Sequence, residues 1–172
     1  EYCTLSNNSD LIRLSKLISI SKKKRSIIAC LIKKNSFINS SLKTKKFKTK
    51  NIRINYLKEI FKLTNRNYVF FTSTGYLSRE FNHLNTKNFN NKFKSFLNVG
   101  GMGHTSSIAM GYSIYSNNNV ICLDGDGSII MHLGSLLTIS TYKKNFKYIL
   151  FNNNMHESVG SMNTNSNNIN FK

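Results

Sequence analysis

The chain has no proline and no tryptophan, and only 7 of its 172 residues are acidic against 25 Lys and Arg. Only five of the basic residues are arginine, and the lysines come with abundant asparagine and isoleucine. A net charge of +18 would ordinarily point to nucleic acid or an anionic surface. Here the basic residues are spread along the chain and do not mark one face, which fits the drift of an AT-rich coding sequence and argues against a nucleic-acid partner. Three cysteines, Cys3, Cys30 and Cys122, have no metal-type spacing. Cys30 and Cys122 lie in apolar runs where a free thiol packs as a small hydrophobe. No disulfide is implied, so a reducing, cytoplasmic setting is expected. No apolar run is long enough to span a bilayer, and no signal peptide is visible. The chain opens on Glu1 and not on Met, so a piece of a longer protein is expected.

What is present has the rhythm of an α/β protein. Helical spacing of Leu11, Ile12, Leu17 and Ile18 predicts a helix from Leu11 to Ile20, with Asp10 as its cap. Ser26–Ile32 reads as a short buried strand. Lys33–Lys50 is rich in Lys, Ser and Asn and reads as a linker. A helix over Ile54–Leu63 puts Ile54, Leu57, Ile60 and Phe61 on one face. Strands are expected at Tyr68–Thr72, Val120–Leu123 and Lys147–Phe151. Helices are expected at Gly103–Tyr115 and Ile129–Tyr142, the latter burying Ile130, Leu133, Leu136, Leu137 and Thr138. Near-continuous apolar strands separated by helices predict a parallel sheet with helices on both faces.

In such sheets ligands sit beyond the carboxyl ends of the strands. The distinctive stretches all fall there: Thr72-Ser73-Thr74-Gly75, Asp124-Gly125-Asp126-Gly127-Ser128 and Asn152 to Gly160. A strand that turns through glycines into a helix aims N–H groups at an anion, as a phosphate requires. The Asp126 carboxylate repels a bare phosphate, so a cation between them is called for. Asn153, 27 residues later, offers a neutral amide oxygen. One carboxylate, one amide oxygen, one backbone carbonyl and phosphate oxygens suit Mg²⁺.

GDG after a strand, followed by a helix, a strand and NN at this spacing, resembles the motif of thiamine-diphosphate-dependent enzymes. The resemblance implies Asp126, Asn153 and the carbonyl of Met155 as Mg²⁺ ligands, with Gly125, Gly127 and Ser128 cradling the diphosphate. The upstream stretch Val99-Gly100-Gly101-Met102-Gly103-His104 resembles the family's aminopyrimidine turn. It implies Met102 as an apolar wedge that bends the cofactor, Gly100 as a carbonyl for the 4′-amino group, and Gly101 beside it. Taken alone, that stretch also reads as a Gly-rich helix entry with Met in the core.

A closer resemblance is to phosphonopyruvate decarboxylases. Thr74-Gly75-Tyr76-Leu77-Ser78-Arg79-Glu80, Gly101 to Ser106, Asp124 through Leu136, and Asn152 to Gly160 carry it. It implies decarboxylation of 3-phosphonopyruvate to phosphonoacetaldehyde and CO₂, with sulfopyruvate or another 2-oxoacid as the alternative substrate. A non-catalytic remnant or a basic binding protein is the reading of another class. Residues 1–37 then read as the end of a pyrimidine-binding domain, 38–65 as linker and helix, and 66–172 as a C-terminally incomplete diphosphate-binding domain. The partners implied are a small 2-oxoacid, a pyrimidine domain of the same or a neighbouring subunit, and further copies in a homo-oligomer.

Several polar residues stay open between roles. His104 and His156 flank the expected cofactor position and are candidates for touching substrate. Arg79 pairs with a phosphonate or caps a helix. Glu157 relays protons near the metal loop or is an exposed carboxylate. Gly75, at the first strand end, is a cofactor contact by resemblance, whereas His132 reads as structural. The sequence departs from the family at Ser161-Met162-Asn163-Thr164, where a Gly-Gln-Pro-Thr-like turn is usual, and at Asn154, where Gly is usual.

Overall fold

The computed structural model describes residues 2–33, 36, 52–142 and 145–171. The chain divides into two compact units, Glu1–Lys43 and Thr44–Lys172. Most of the expected linker, Lys33–Lys50, lies outside the described residues. Among them no helix is long and apolar enough to cross a membrane.

The first unit holds strand β1 (Tyr2–Leu5), helix α1 (Asp10–Lys24) and strand β2 (Ala29–Ile32), with the two strands parallel and Cys3 opposite Cys30. Ser9 takes the N-cap position of α1. Asp10 instead accepts the N–H groups of Ser6 and Asn7 at 2.7 and 3.2 Å, closing the loop that leads in. The strand expected at Ser26–Ile32 is shorter and all four of its residues are exposed. Cys30 is therefore not packed, whereas Cys3 is buried. Two strands and one helix have too little apolar surface to cover both sheet faces. On α1 only Leu17 is fully buried.

The second unit contains α2 (Ile52–Lys62), β3 (Tyr68–Thr72), α3 (Tyr76–Phe89), β4 (Lys94–Leu97), α4 (Thr105–Tyr115), β5 (Asn119–Gly125), α5 (Asp126–Met131), α6 (Ser135–Thr141) and β6 (Phe146–Phe151). A short antiparallel pair follows, β7 (Met155–His156) and β8 (Met162–Asn163), with one-turn helices at Glu157–Val159 and Ser166–Asn168. The main sheet is wholly parallel in the order β4-β3-β5-β6. The fold is α/β, as the alternation predicts.

Strand periodicity divides the core into two layers. Phe70, Ile121 and Leu123 face one side and meet Leu57 and Phe61 of α2 and Leu77, Phe81 and Leu84 of α3. Phe61 packs edge-on against Phe70, Phe81 and Phe89 at centroid distances of 5.6, 4.9 and 5.0 Å. Val69, Phe71, Val120 and Cys122 face the other side and meet Ala109 of α4. Both α3 and β4 escape the sequence reading, β4 because it is a short edge strand that carries Lys94 and Ser95 and stays largely exposed.

The helix expected over Ile129–Tyr142 is two helices. His132 leaves the helical region at φ −144°, ψ 47°, and Gly134 follows in the break. The second piece is thereby turned, so Leu133 and Leu137 stand exposed at 40% and 77% and do not form a buried face.

Candidate active site

From β3 the chain crosses to β4 on one side and then back over β3 to β5. The carboxyl ends of β3 and β5 thus flank the point where the winding reverses, and a crevice opens there. It is a cavity of about 650 Å³. Its walls are the loops after β3, β5 and β6, Met102 from the loop before α4, and one side of α2.

The two aspartates of the acidic turn have different surroundings. Asp124 is fully buried beneath the turn. Its Oδ1 accepts the Gly125 N–H at 2.9 Å and its Oδ2 accepts the Tyr148 hydroxyl at 2.9 Å. Burial pushes its carboxyl above the ordinary aspartate value, against the pull of hydrogen bonds from Ser128, Tyr148, the Gly125 backbone and Ser73. Burial and the adjacent Asp124 likewise raise the Tyr148 phenol, so it stays a donor.

Asp126 opens α5 at the cavity wall. Its Oδ2 accepts the hydroxyls of Thr164 at 2.5 Å and Ser166 at 3.2 Å. The Ser166 hydroxyl also lies 2.9 Å from Asn152 Oδ1 and 2.5 Å from Asn154 Oδ1. A hydroxyl has a single proton to share among these acceptors, so Ser166 ties the acidic turn after β5 to the loop after β6. Asn154 sits at φ 60°, the left-handed backbone that glycine usually supplies and asparagine tolerates.

Asn153 is held at both ends of its amide. Oδ1 accepts the Met155 N–H at 3.1 Å, and Nδ2 donates to Glu157 Oε2 at 3.3 Å. Glu157 also receives Arg53 Nη1 at 2.8 Å, while Nε and Nη2 of the same guanidinium grip Glu80, each at 2.7 Å. The hydrogen bonds to Glu80, with a smaller contribution from Glu157, raise the pKa of Arg53 despite its partial burial.

Gly127 is where close approach demands glycine. A Cβ there would stand 2.5 Å from the imidazole of His156, so the ring lies directly on the turn's backbone. Gly75, at φ 112°, ψ −153°, has a backbone that a side chain would strain. The space over Gly125 is open, with nothing nearer to an added Cβ than Ser73 Oγ at 3.9 Å. Ser128 Oγ accepts the Gly103 N–H at 3.1 Å and so ties the Met102 turn to the acidic turn.

The cavity therefore brings together Gly75, Met102, Gly125, Asp126, Gly127, Ser128, Asn153, Met155, His156 and Glu157. Gly100, Gly101, His104 and Arg79 do not line it. The Gly101 carbonyl accepts Asn98 Nδ2 at 2.6 Å. His104 precedes α4 and meets His132 edge-on, with centroids 5.1 Å apart. Arg79 is exposed, its guanidinium 5.5 Å from the Tyr76 ring. Sequence reasoning missed Arg53, Glu80, Thr164 and Ser166. Arg53 reaches partners 27 and 104 residues away, a separation no local pattern announces.

Among the described residues no three His, Cys, Asp or Glu side chains converge as a metal cage. The donors at hand are hard oxygens instead: the Asp126 carboxylate, the Asn153 amide and backbone carbonyls of the same loop. That set, beside an open glycine backbone at the start of α5, fits a magnesium-held diphosphate.

Residues 73–171 match the family described as thiamine pyrophosphate enzyme, C-terminal TPP binding domain. The sulfopyruvate decarboxylase subunit beta of Methanococcus maripaludis is 41% identical over 78 residues, 45% of this chain and 42% of that protein. The subunit of the same name from Methanocaldococcus jannaschii is 32% identical over 113 residues, 65% of this chain and 57% of that one. Phosphonopyruvate decarboxylase of Streptomyces viridochromogenes is 32% identical over 94 residues, 54% of this chain and 22% of that protein. The chain thus spans about half or less of the length of these relatives. No solved structure matches it.

Proposed function

This chain belongs to the thiamine pyrophosphate enzymes through its C-terminal TPP-binding domain, and from that premise we propose that it is the diphosphate-binding part of a decarboxylase for 2-oxoacids that carry a second anion on C3. The substrates are 3-phosphonopyruvate, giving phosphonoacetaldehyde, and 3-sulfopyruvate, giving the corresponding sulfonate aldehyde. In each case the C1–C2 bond breaks, CO₂ leaves, and a proton takes its place on C2. The observation that carries this reading is the cavity at the winding reversal, which Asp126 and Asn153 both line from two strand ends. The similarity to both kinds of decarboxylase supports the substrate class.

When bound, thiamine diphosphate supplies the nucleophilic carbon and the electron sink that the cleavage needs. The chain's own residues hold and shape. Asp126, through the oxygen not engaged by the two hydroxyls, would hold Mg²⁺ together with the Asn153 amide oxygen and the Met155 carbonyl. The backbone of Gly125 to Ser128 would face the diphosphate. Met102 would fill the apolar wall behind the ring system. His156, lying on Gly127, would be a donor toward an anion above the turn. Arg53 does not serve there, because Glu80 and Glu157 occupy its guanidinium. The remaining wall of the site is proposed to come from a pyrimidine-binding domain, on the same chain or on another subunit.

The test is a substrate panel on the full-length protein with its partner domain, Mg²⁺ and thiamine diphosphate, following CO₂ and aldehyde. Phosphonopyruvate or sulfopyruvate should exceed pyruvate by at least about tenfold in kcat/KM, since one charge-assisted hydrogen bond contributes about 1.5–3 kcal/mol. Equal rates on all three acids would reduce the assignment to a general 2-oxoacid decarboxylase, and no CO₂ from any would overturn it.

A further inference from the structure

We propose that Arg53 and Glu157 are positioning residues that set the orientation of the Asn153 amide for the metal, an inference that rests on the function proposed above. Arg53 stands one helical turn before Leu57 on α2, and Glu80 immediately precedes Phe81 on α3. Leu57 and Phe61 of α2 and Phe81 of α3 are fully buried. Both ends of the two-pronged Arg53–Glu80 contact are therefore fixed to packed helices. The third guanidinium nitrogen extends from this base to Glu157, which lies on a one-turn helix in the loop after β6. The network transfers the rigidity of two helices to a loop that has little core of its own.

Its chemical consequence falls on Asn153. An ionised carboxylate only accepts hydrogen bonds, so Glu157 Oε2 selects the NH₂ end of the amide. The carbonyl oxygen is then held at the other edge of the planar amide, where the Met155 N–H also meets it. Without Glu157 only the Met155 N–H, at 3.1 Å, still selects the oxygen end, so the amide is held from one side alone. The guanidinium has a second effect. It leaves both glutamates paired, so neither competes with the Asp126 and Asn153 oxygens for the metal. Exposures of 20%, 24% and 32% for the three side chains place the network at the cavity wall, between interior and water.

The experiment uses full-length protein, measuring thiamine diphosphate binding by calorimetry across a Mg²⁺ series, with melting temperatures recorded without cofactor. Partners of metal ligands typically alter metal affinity about 10- to 100-fold when lost. Arg53→Met should therefore raise the Mg²⁺ concentration for half-maximal cofactor binding about tenfold or more. Glu157→Gln keeps the Arg53–Glu80 contact and should shift it in the same direction by less. A lowered melting temperature with an unchanged Mg²⁺ requirement in Arg53→Met would make the network purely structural and overturn the inference. If Arg53→Met does not fold, an unchanged requirement in Glu157→Gln does the same. Absence of Mg²⁺-dependent binding in the unmodified protein is a separate result that removes the proposed function and this inference with it.

Discussion

Asp124 and Asp126 stand two residues apart in opposite situations, and substitution should separate them. Asp126→Ala removes the carboxylate proposed to hold Mg²⁺. Cofactor affinity should fall about 10²-fold or more, because breaking a buried charge contact commonly costs roughly 3 kcal/mol or more. Asp124→Ala instead strands the Tyr148 hydroxyl and the Gly125 N–H. Each unsatisfied buried group costs about 1–3 kcal/mol, so this variant should melt lower without cofactor. Calorimetric titration of thiamine diphosphate into both variants, beside their melting curves, checks the contrast. Equal affinities would remove Asp126 from the metal site. The spacing of Asp126 and Asn153 was legible because both sit just past apolar strands. Arg53 was not legible, because a lone arginine on an amphipathic helix has the same pattern whether it faces water or a cavity.

At the scale of elements, the segment after β6 governs the site. The β7–β8 pair and the turn at Ser166–Asn168 fold Thr164 and Ser166 onto Asp126. Across this segment Gly160, Ser161 and Asn165 all adopt positive φ. Ser166→Ala removes the hydroxyl shared by Asp126, Asn152 and Asn154. It should raise the Mg²⁺ requirement for cofactor binding severalfold and cost about 1 kcal/mol of stability. Leu137→Ser, on the exposed face of α6, should change stability by less than about 0.5 kcal/mol. Urea unfolding of the two variants tests both values. A Leu137→Ser variant that unfolds much earlier would mean that this face is covered in the working protein. Strands β3 and β5 were readable as apolar runs because both their faces are packed, whereas β6, at the sheet edge, is only half-buried and interrupts its apolar run with the exposed Lys147. The break at His132–Gly134 was not, since Leu133 and Leu137 keep helical spacing across it while the helix axis changes.

At the scale of the whole molecule, charge is distributed against the average. The chain carries +18, yet four of its seven acidic residues, Glu80, Asp124, Asp126 and Glu157, lie in or directly beneath the cavity. Arg53 pairs with two of them and offsets one of their two charges, so the acidic turn adds to a residual negative charge at the cavity wall. A diphosphate is thus drawn to the protein at long range and opposed at the turn itself, unless a divalent cation lies between them. Long-range attraction among exposed charges is screened beyond about 8 Å at 0.15 M salt, whereas a metal bridge inside the cavity is screened far less. Two kinds of stabilisation should therefore be separable by melting the full-length protein. Thiamine diphosphate alone should raise the melting temperature only at low salt. With Mg²⁺ at about 100 times the dissociation constant of the ternary site, the gain is about 2.7 kcal/mol. For a domain of this size that corresponds to roughly 5–10 °C, and it should persist at 0.15 M salt. Mg²⁺ alone should do little, because Asp126 is then the only charged ligand. A shift of equal size with inorganic diphosphate and no metal would show that the lysines, and not the acidic turn, bind the anion. No shift with metal and cofactor together would remove the site altogether.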